Sequence, residues 1–102
     1  MHYLLIYDAV ENYLTARAPY RKAHLQHALA AYQRGEIILA GALANPADGA
    51  VVVFQCDSPK VVEDFAKADP YVLNGVFTKW RVREWTTVVG DNPSLKVDLN
   101  TL

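Results

Sequence analysis

The 102-residue chain has one cysteine, almost no excess of charge and no long apolar run. Each shortage excludes something. A single thiol, Cys56, cannot close an internal disulfide, and it reads as a buried strand residue. Ten basic residues against eleven acidic ones leave a net charge of -1. The basic side chains are scattered among acids, so no cationic face is expected for a nucleic-acid backbone. A membrane-crossing helix needs about 20 consecutive apolar residues, and no stretch approaches that. The first six residues carry neither a charged leader nor a small-residue cleavage site, so the expected location is cytoplasmic. There is no Gly-rich phosphate loop, no G-x-S-x-G elbow and no zinc-ligand spacing, so no cofactor and no metal are expected.

What is present is an ordinary globular composition, 52% apolar and 21% charged. The length fits one domain, and a chain this short buries only about 60–65% of its unfolded surface. A second copy would enlarge so small a core.

Residues 2–8 alternate as a strand, with Leu4 and Ile6 on one face and Tyr3, Leu5 and Tyr7 on the other. Both faces are apolar, so both need covering. Residues 11–18 form a lead-in with the length of a short helix. Pro19 suits the first turn of a longer helix running to about Arg34, where Gly35 ends it. Leu25, Ala28, Leu29 and Tyr32 form its apolar stripe. Residues 36–44 and 50–56 are strands joined through the turn Asn45-Pro46-Ala47-Asp48-Gly49. Ser58 caps a second helix, Pro59 opens it, and Pro70 closes it. One more helical turn reaches Gly75, and a last strand spans 77–89. The order β-α-β-β-α-β is that of an α+β ferredoxin-like sandwich, a four-stranded antiparallel sheet with helices on one face. Tyr3, Leu5 and Tyr7 are assigned to the open face, which calls for a homodimer packed sheet to sheet. Residues 1–90 form the domain, and 91–102 form a tail without clear periodicity.

The chain resembles the YCII-related proteins, a branch of the dimeric α+β barrel superfamily. The resemblance runs over roughly residues 1–90. It rests on the opening strand, Arg21-x-x-His24-Leu25, Gly41-x-Leu43, and Asp69-Pro70-Tyr71 followed by Gly75. It implies an active site built on the helix histidine and the aspartate before the proline, here His24 and Asp69. The family pattern places a proline before the aromatic residue that ends the last strand. Here Glu84 precedes Trp85, which alters the rim of the site.

The residues themselves support a proton-transfer pair. An imidazole titrates near neutrality, so it can take or give a proton. On a helical wheel centred on His24, Leu25 lies ~100° round, Ala28 ~40° and Tyr32 ~80°. His24 thus sits at the edge of the stripe, as a boundary histidine or a site group. His27 lies ~60° away on the other side and is expected in solvent; the two histidines lack a further ligand for a metal. His2 has no evident role. Asp69 is held extended by Pro70 and can serve a turn, an imidazole, or both. Arg21 lies ~60° from His24 toward the stripe, either as an anion anchor or with its head in water. Tyr7, Tyr71, Trp80 and Trp85 can line a pocket for a ring-bearing ligand, although aromatic residues in a small domain also serve as core.

Two functions remain open, besides an entirely structural domain should no pocket lie between sheet and helices. One is a small cofactor-independent enzyme, with His24 and Asp69 moving a proton on a small organic acid or lactone in an isomerisation, elimination or hydrolysis. The other is a non-catalytic module that binds a small ligand or dimerises with a partner.

Overall fold

A computed structural model describes all residues, 1–102. Strand β1 (His2–Ala9) is followed by a short helix α1 (Tyr13–Ala16), a tight turn at Ala18–Tyr20 and the long helix α2 (Arg21–Gln33). Strands β2 (Ile37–Ala42) and β3 (Gly49–Gln55) form the hairpin. Helix α3 (Pro59–Ala68), the single turn α4 (Pro70–Leu73) and strand β4 (Phe77–Trp85) complete the domain. The four strands lie in the order β2-β3-β1-β4, and every pairing is antiparallel. This is the ferredoxin-like α+β arrangement that the element order implies.

Local chemistry sets the boundaries. Ser58 accepts the Lys60 N–H at 3.1 Å and Pro59 occupies the first position of α3. Helix α2 begins after Pro19 rather than at it, because residues 18–20 take the tighter turn. It ends at Gly35, whose φ of +80° suits a residue without Cβ. There the Glu36 N–H reaches back to the Ala31 carbonyl at 3.0 Å. Gly49 packs against the Tyr7 carbonyl where a Cβ would collide. Beta-strand β4 stops at Trp85, short of the expected 89.

Two assignments of faces change. Tyr3, Leu5 and Tyr7 point at the helices and are buried with Phe54, Val62, Phe65, Tyr71 and Phe77. The open face carries Leu4 and Ile6 instead, opposite Val53 and Val51 of β3, all half-buried. The pattern of alternation is as read; the aromatic side faces the helices, and there the Tyr7 hydroxyl has Asp69 as its polar partner. Helix α2 is also rotated. Ala31 is fully buried and His24, His27 and Ala28 are half-buried, whereas Leu25, Leu29 and Tyr32 are exposed, Leu29 at 53%. Small alanines permit close packing at the buried side. His27 is not a solvated residue: its Nε2 lies 2.9 Å from the Phe65 carbonyl and its ring stacks on Phe65 at 4.2 Å.

Cys56 lies just past β3 and is half-buried, with burial pushing its thiol above the usual range. His2 is buried, with Nδ1 against the Thr87 and Ser94 hydroxyls, because residues 87–94 fold back over the strand start. Beyond Ser94 the tail is exposed throughout, and its one regular element is a turn at Leu99–Thr101.

Candidate active site

Asp69 sits between two helices because Pro70 prevents α3 from continuing. Its backbone is extended, with φ −65° and ψ 123°. One carboxylate oxygen, Oδ1, accepts the Tyr71 N–H at 2.9 Å and so caps α4. The same oxygen lies 2.8 Å from His24 Nδ1. The other, Oδ2, accepts the Tyr7 hydroxyl at 2.8 Å. The side chain is 0% exposed. Turn and charge partner are therefore one structure, as the two compatible readings of Asp69 allow.

The network fixes the imidazole. The Tyr71 N–H and the Tyr7 O–H donate to the carboxylate, which leaves the third contact for a proton on Nδ1 of His24. The ring stacks on Tyr71 at 3.7 Å and 5°, and meets Phe77 edge-on at 5.8 Å. With Nδ1 tied, Nε2 keeps a lone pair and is the free end of the ring. Tyr7 stays a donor: burial first, then the Asp69 carboxylate beside it, holds its phenol far above the usual range.

His24 lines a cavity of about 250 Å³ between α2 and the β2–β3–β1 part of the sheet. Its walls include Tyr7, Phe65, Phe77 and Val52, and Ala40, Ala42 and Ala50 leave the space. No acidic residue lines it. Arg17 and Arg21 do, and neither makes an ion pair with a carboxylate. The size suits a single small ring, at the low end for ligand pockets.

A family model for the YCII-related domain matches residues 1–86. The chain belongs to the YCII-related family. The structure is similar to 5-chloro-2-hydroxyhydroquinone dehydrochlorinase (TftG) from Burkholderia phenoliruptrix AC1100, solved in complex with 2,5-dihydroxybenzoquinone. The TM-score is 0.72 at 20% identity, over 85% of this chain and 95% of that chain, which is a likeness of fold. No curated protein matches the sequence.

In this YCII-related chain, four of the seven residues singled out in the sequence meet in one packed set. His24, Asp69 and Tyr7 form the hydrogen-bonded set, and Tyr71 supports the imidazole from below rather than lining the cavity. Arg21 also lines the cavity, as an exposed residue at its rim. Trp85 does not join them. It pairs with His2 at the far end of β4, 44% exposed, beside Thr87 and Val89. Trp80 is on the helix side of β4, half-buried against the core and outside the cavity. Sequence reasoning missed Arg17, Tyr13 and Phe77. Arg17 stands four residues before Arg21, a spacing hidden by the break between α1 and α2. No three metal-ligating side chains converge anywhere, and no helix is long and apolar enough to cross a membrane.

Proposed function

We propose that the His24 cavity is an active site for cofactor-independent acid–base chemistry on a small organic acid or lactone, by isomerisation, elimination or hydrolysis. The observation that carries this reading is the 2.8 Å contact between His24 Nδ1 and a fully buried Asp69, which turns the other ring nitrogen into a base. Tyr7 and Asp69 hold the ring; His24 takes a proton from carbon or water at Nε2. It returns that proton to another carbon in an isomerisation or to the departing oxygen in a hydrolysis, while in an elimination the leaving group departs as its anion and the proton passes to solvent. Arg21 anchors the acidic group of the substrate, for which a guanidinium offers two parallel hydrogen bonds. The named ligand of the dehydrochlorinase, one oxygenated ring, sets the scale of substrate to try first.

The functional unit in this reading is residues 1–90, working in the cytoplasm as a homodimer. The half-buried Leu4, Ile6, Val51 and Val53 on the open face are the apolar surface that a second copy would cover.

The test is a panel of hydroxyquinones, hydroxybenzoates and small lactones in deuterium oxide, followed by NMR. Wild type should catalyse deuterium exchange or conversion of at least one, and His24→Gln should lose at least about a hundredfold of that rate. Tight binding with no exchange and no turnover across the panel would instead mark a ligand-binding module.

A further inference from the structure

Arg17 belongs to no expectation drawn above, yet it shares the His24 cavity with Arg21. It is half-buried, its guanidinium lies 5.0 Å over the Tyr13 ring, and Nη1 donates to the Tyr13 hydroxyl at a long 3.3 Å. A guanidinium has five N–H donors, so most of its capacity is unused. Arg21 has no hydrogen-bonded partner of good geometry either. Two cations thus face one small cavity that has no acidic side chain in its wall.

A second observation points the same way. The Tyr71 hydroxyl is buried and has no hydrogen-bond partner. A buried orphan of this kind is uncommon, because the group loses water and gains nothing. Burial raises the Tyr71 phenol above its ordinary range, while the Arg21 and Arg17 guanidiniums oppose that rise. Arg21 is thus close enough to act on the hydroxyl without closing a well-formed bond to it. Tyr71 meets Tyr13 edge-on at 6.1 Å, and Tyr13 lines the cavity. The unused donors of Arg17 and Arg21 therefore stand at the cavity, with the unpaired Tyr71 hydroxyl buried behind its wall.

We infer that Arg17 and Arg21, with Arg21 backed by the buried Tyr71 hydroxyl, form a seat for a two-oxygen anion borne on a single ring. This deepens the acid–base reading and rests on the cavity being the substrate site. The anion is a carboxylate or a pair of adjacent ionised ring oxygens, which two guanidiniums can grip from both sides. The ring enters the apolar part between Phe65, Phe77 and the alanines. Such a grip would orient one carbon beside the anion toward His24 Nε2. Arg17 makes the seat selective: a lone Arg21, exposed at the rim, would hold an anion only loosely.

Calorimetry with phthalate, benzoate and benzamide tests the seat without knowledge of the natural ligand. Wild type should bind in that order, with benzamide at least about tenfold weaker than benzoate, and added salt should narrow the gap. Arg17→Met should weaken benzoate about tenfold, Arg17→Lys by less, and Tyr71→Phe severalfold. Neither site removes a core ring, so the folds should persist, and circular dichroism confirms it. On any substrate that the wild type turns over, Arg17→Met should act chiefly on KM and His24→Gln on kcat, which separates the seat from the acid–base step. Failure of all three probes to bind at millimolar concentration overturns the seat. So does equal affinity for benzoate and benzamide, or unchanged benzoate affinity in Arg17→Met or Tyr71→Phe. Should His24→Gln abolish turnover while the seat variants bind normally, the seat falls and the acid–base reading stands.

Discussion

His24 and Asp69 are 45 positions apart in the chain, and their side chains meet at 2.8 Å. Three separate elements supply the donors around that carboxylate: β1 through Tyr7, α2 through His24, and α4 through the Tyr71 backbone. A buried group held from three directions has little freedom to turn. The same contacts therefore shape the fold and aim the imidazole.

Asp69→Asn should destabilise the protein. A carboxamide offers one acceptor oxygen where three donors now converge, and its own NH2 would face a donor. Leaving a buried donor unpaired costs about 1–3 kcal/mol. Urea unfolding should show a lower midpoint with an unchanged slope. An unaltered midpoint would mean that the three contacts are not formed together.

Tyr7→Phe is the milder change. The ring keeps its stack on Phe77 at 4.0 Å, and only the hydroxyl is lost. A loss of about 0.5–1.5 kcal/mol is expected. Any fall in turnover should appear in kcat with KM nearly constant, because Tyr7 acts on Asp69 rather than on the substrate.

The phenols give a pH dependence. Tyr7 and Tyr71 have folded values raised above 10.0, chiefly by burial. A group that binds its proton more tightly when folded contributes its full stability below its unfolded value. That contribution is lost as pH rises through the higher folded value. Phenolate absorbance should therefore show Tyr7 silent at pH 10 in the folded protein and titrating on unfolding, with Tyr71 ionising later than an exposed tyrosine. All six tyrosines titrating together near 10, with the fold intact, would contradict the burial of Tyr7.

The open sheet face makes a separate prediction. Wild type should sediment as a dimer at micromolar concentration. Val53→Glu places a charge among Leu4, Ile6 and Val51, and should yield a folded monomer. A monomeric wild type would remove the sheet-to-sheet arrangement.

Much of this was legible in one sequence, for identifiable reasons. Ser58-Pro59, Gly35 and Asp69-Pro70 act through their own backbones, so the boundaries they mark follow from residue type. Period-two alternation separated Tyr3, Leu5 and Tyr7 from Leu4 and Ile6. It could not say which set the helices cover, since both are apolar and the choice depends on Asp69 far along the chain. The helical wheel failed for a related reason. Leu25, Leu29 and Tyr32 look like a core stripe, yet α2 turns Ala28, Ala31 and two histidines inward, where polar partners on α3 and Asp69 await the histidines. His24 and Asp69 came from a resemblance of motifs, and Arg17 carried no motif at all.

The central claim is that Asp69 fixes His24 with its proton on Nδ1 and a free lone pair on Nε2. Nitrogen NMR of the imidazole reads this directly. At a pH where His24 is neutral, wild type should show the Nδ1–H form, with a slowly exchanging Nδ1 proton that disappears in Asp69→Asn. A neutral ring protonated on Nε2, or one whose two forms are mixed alike in wild type and Asp69→Asn, would contradict the account.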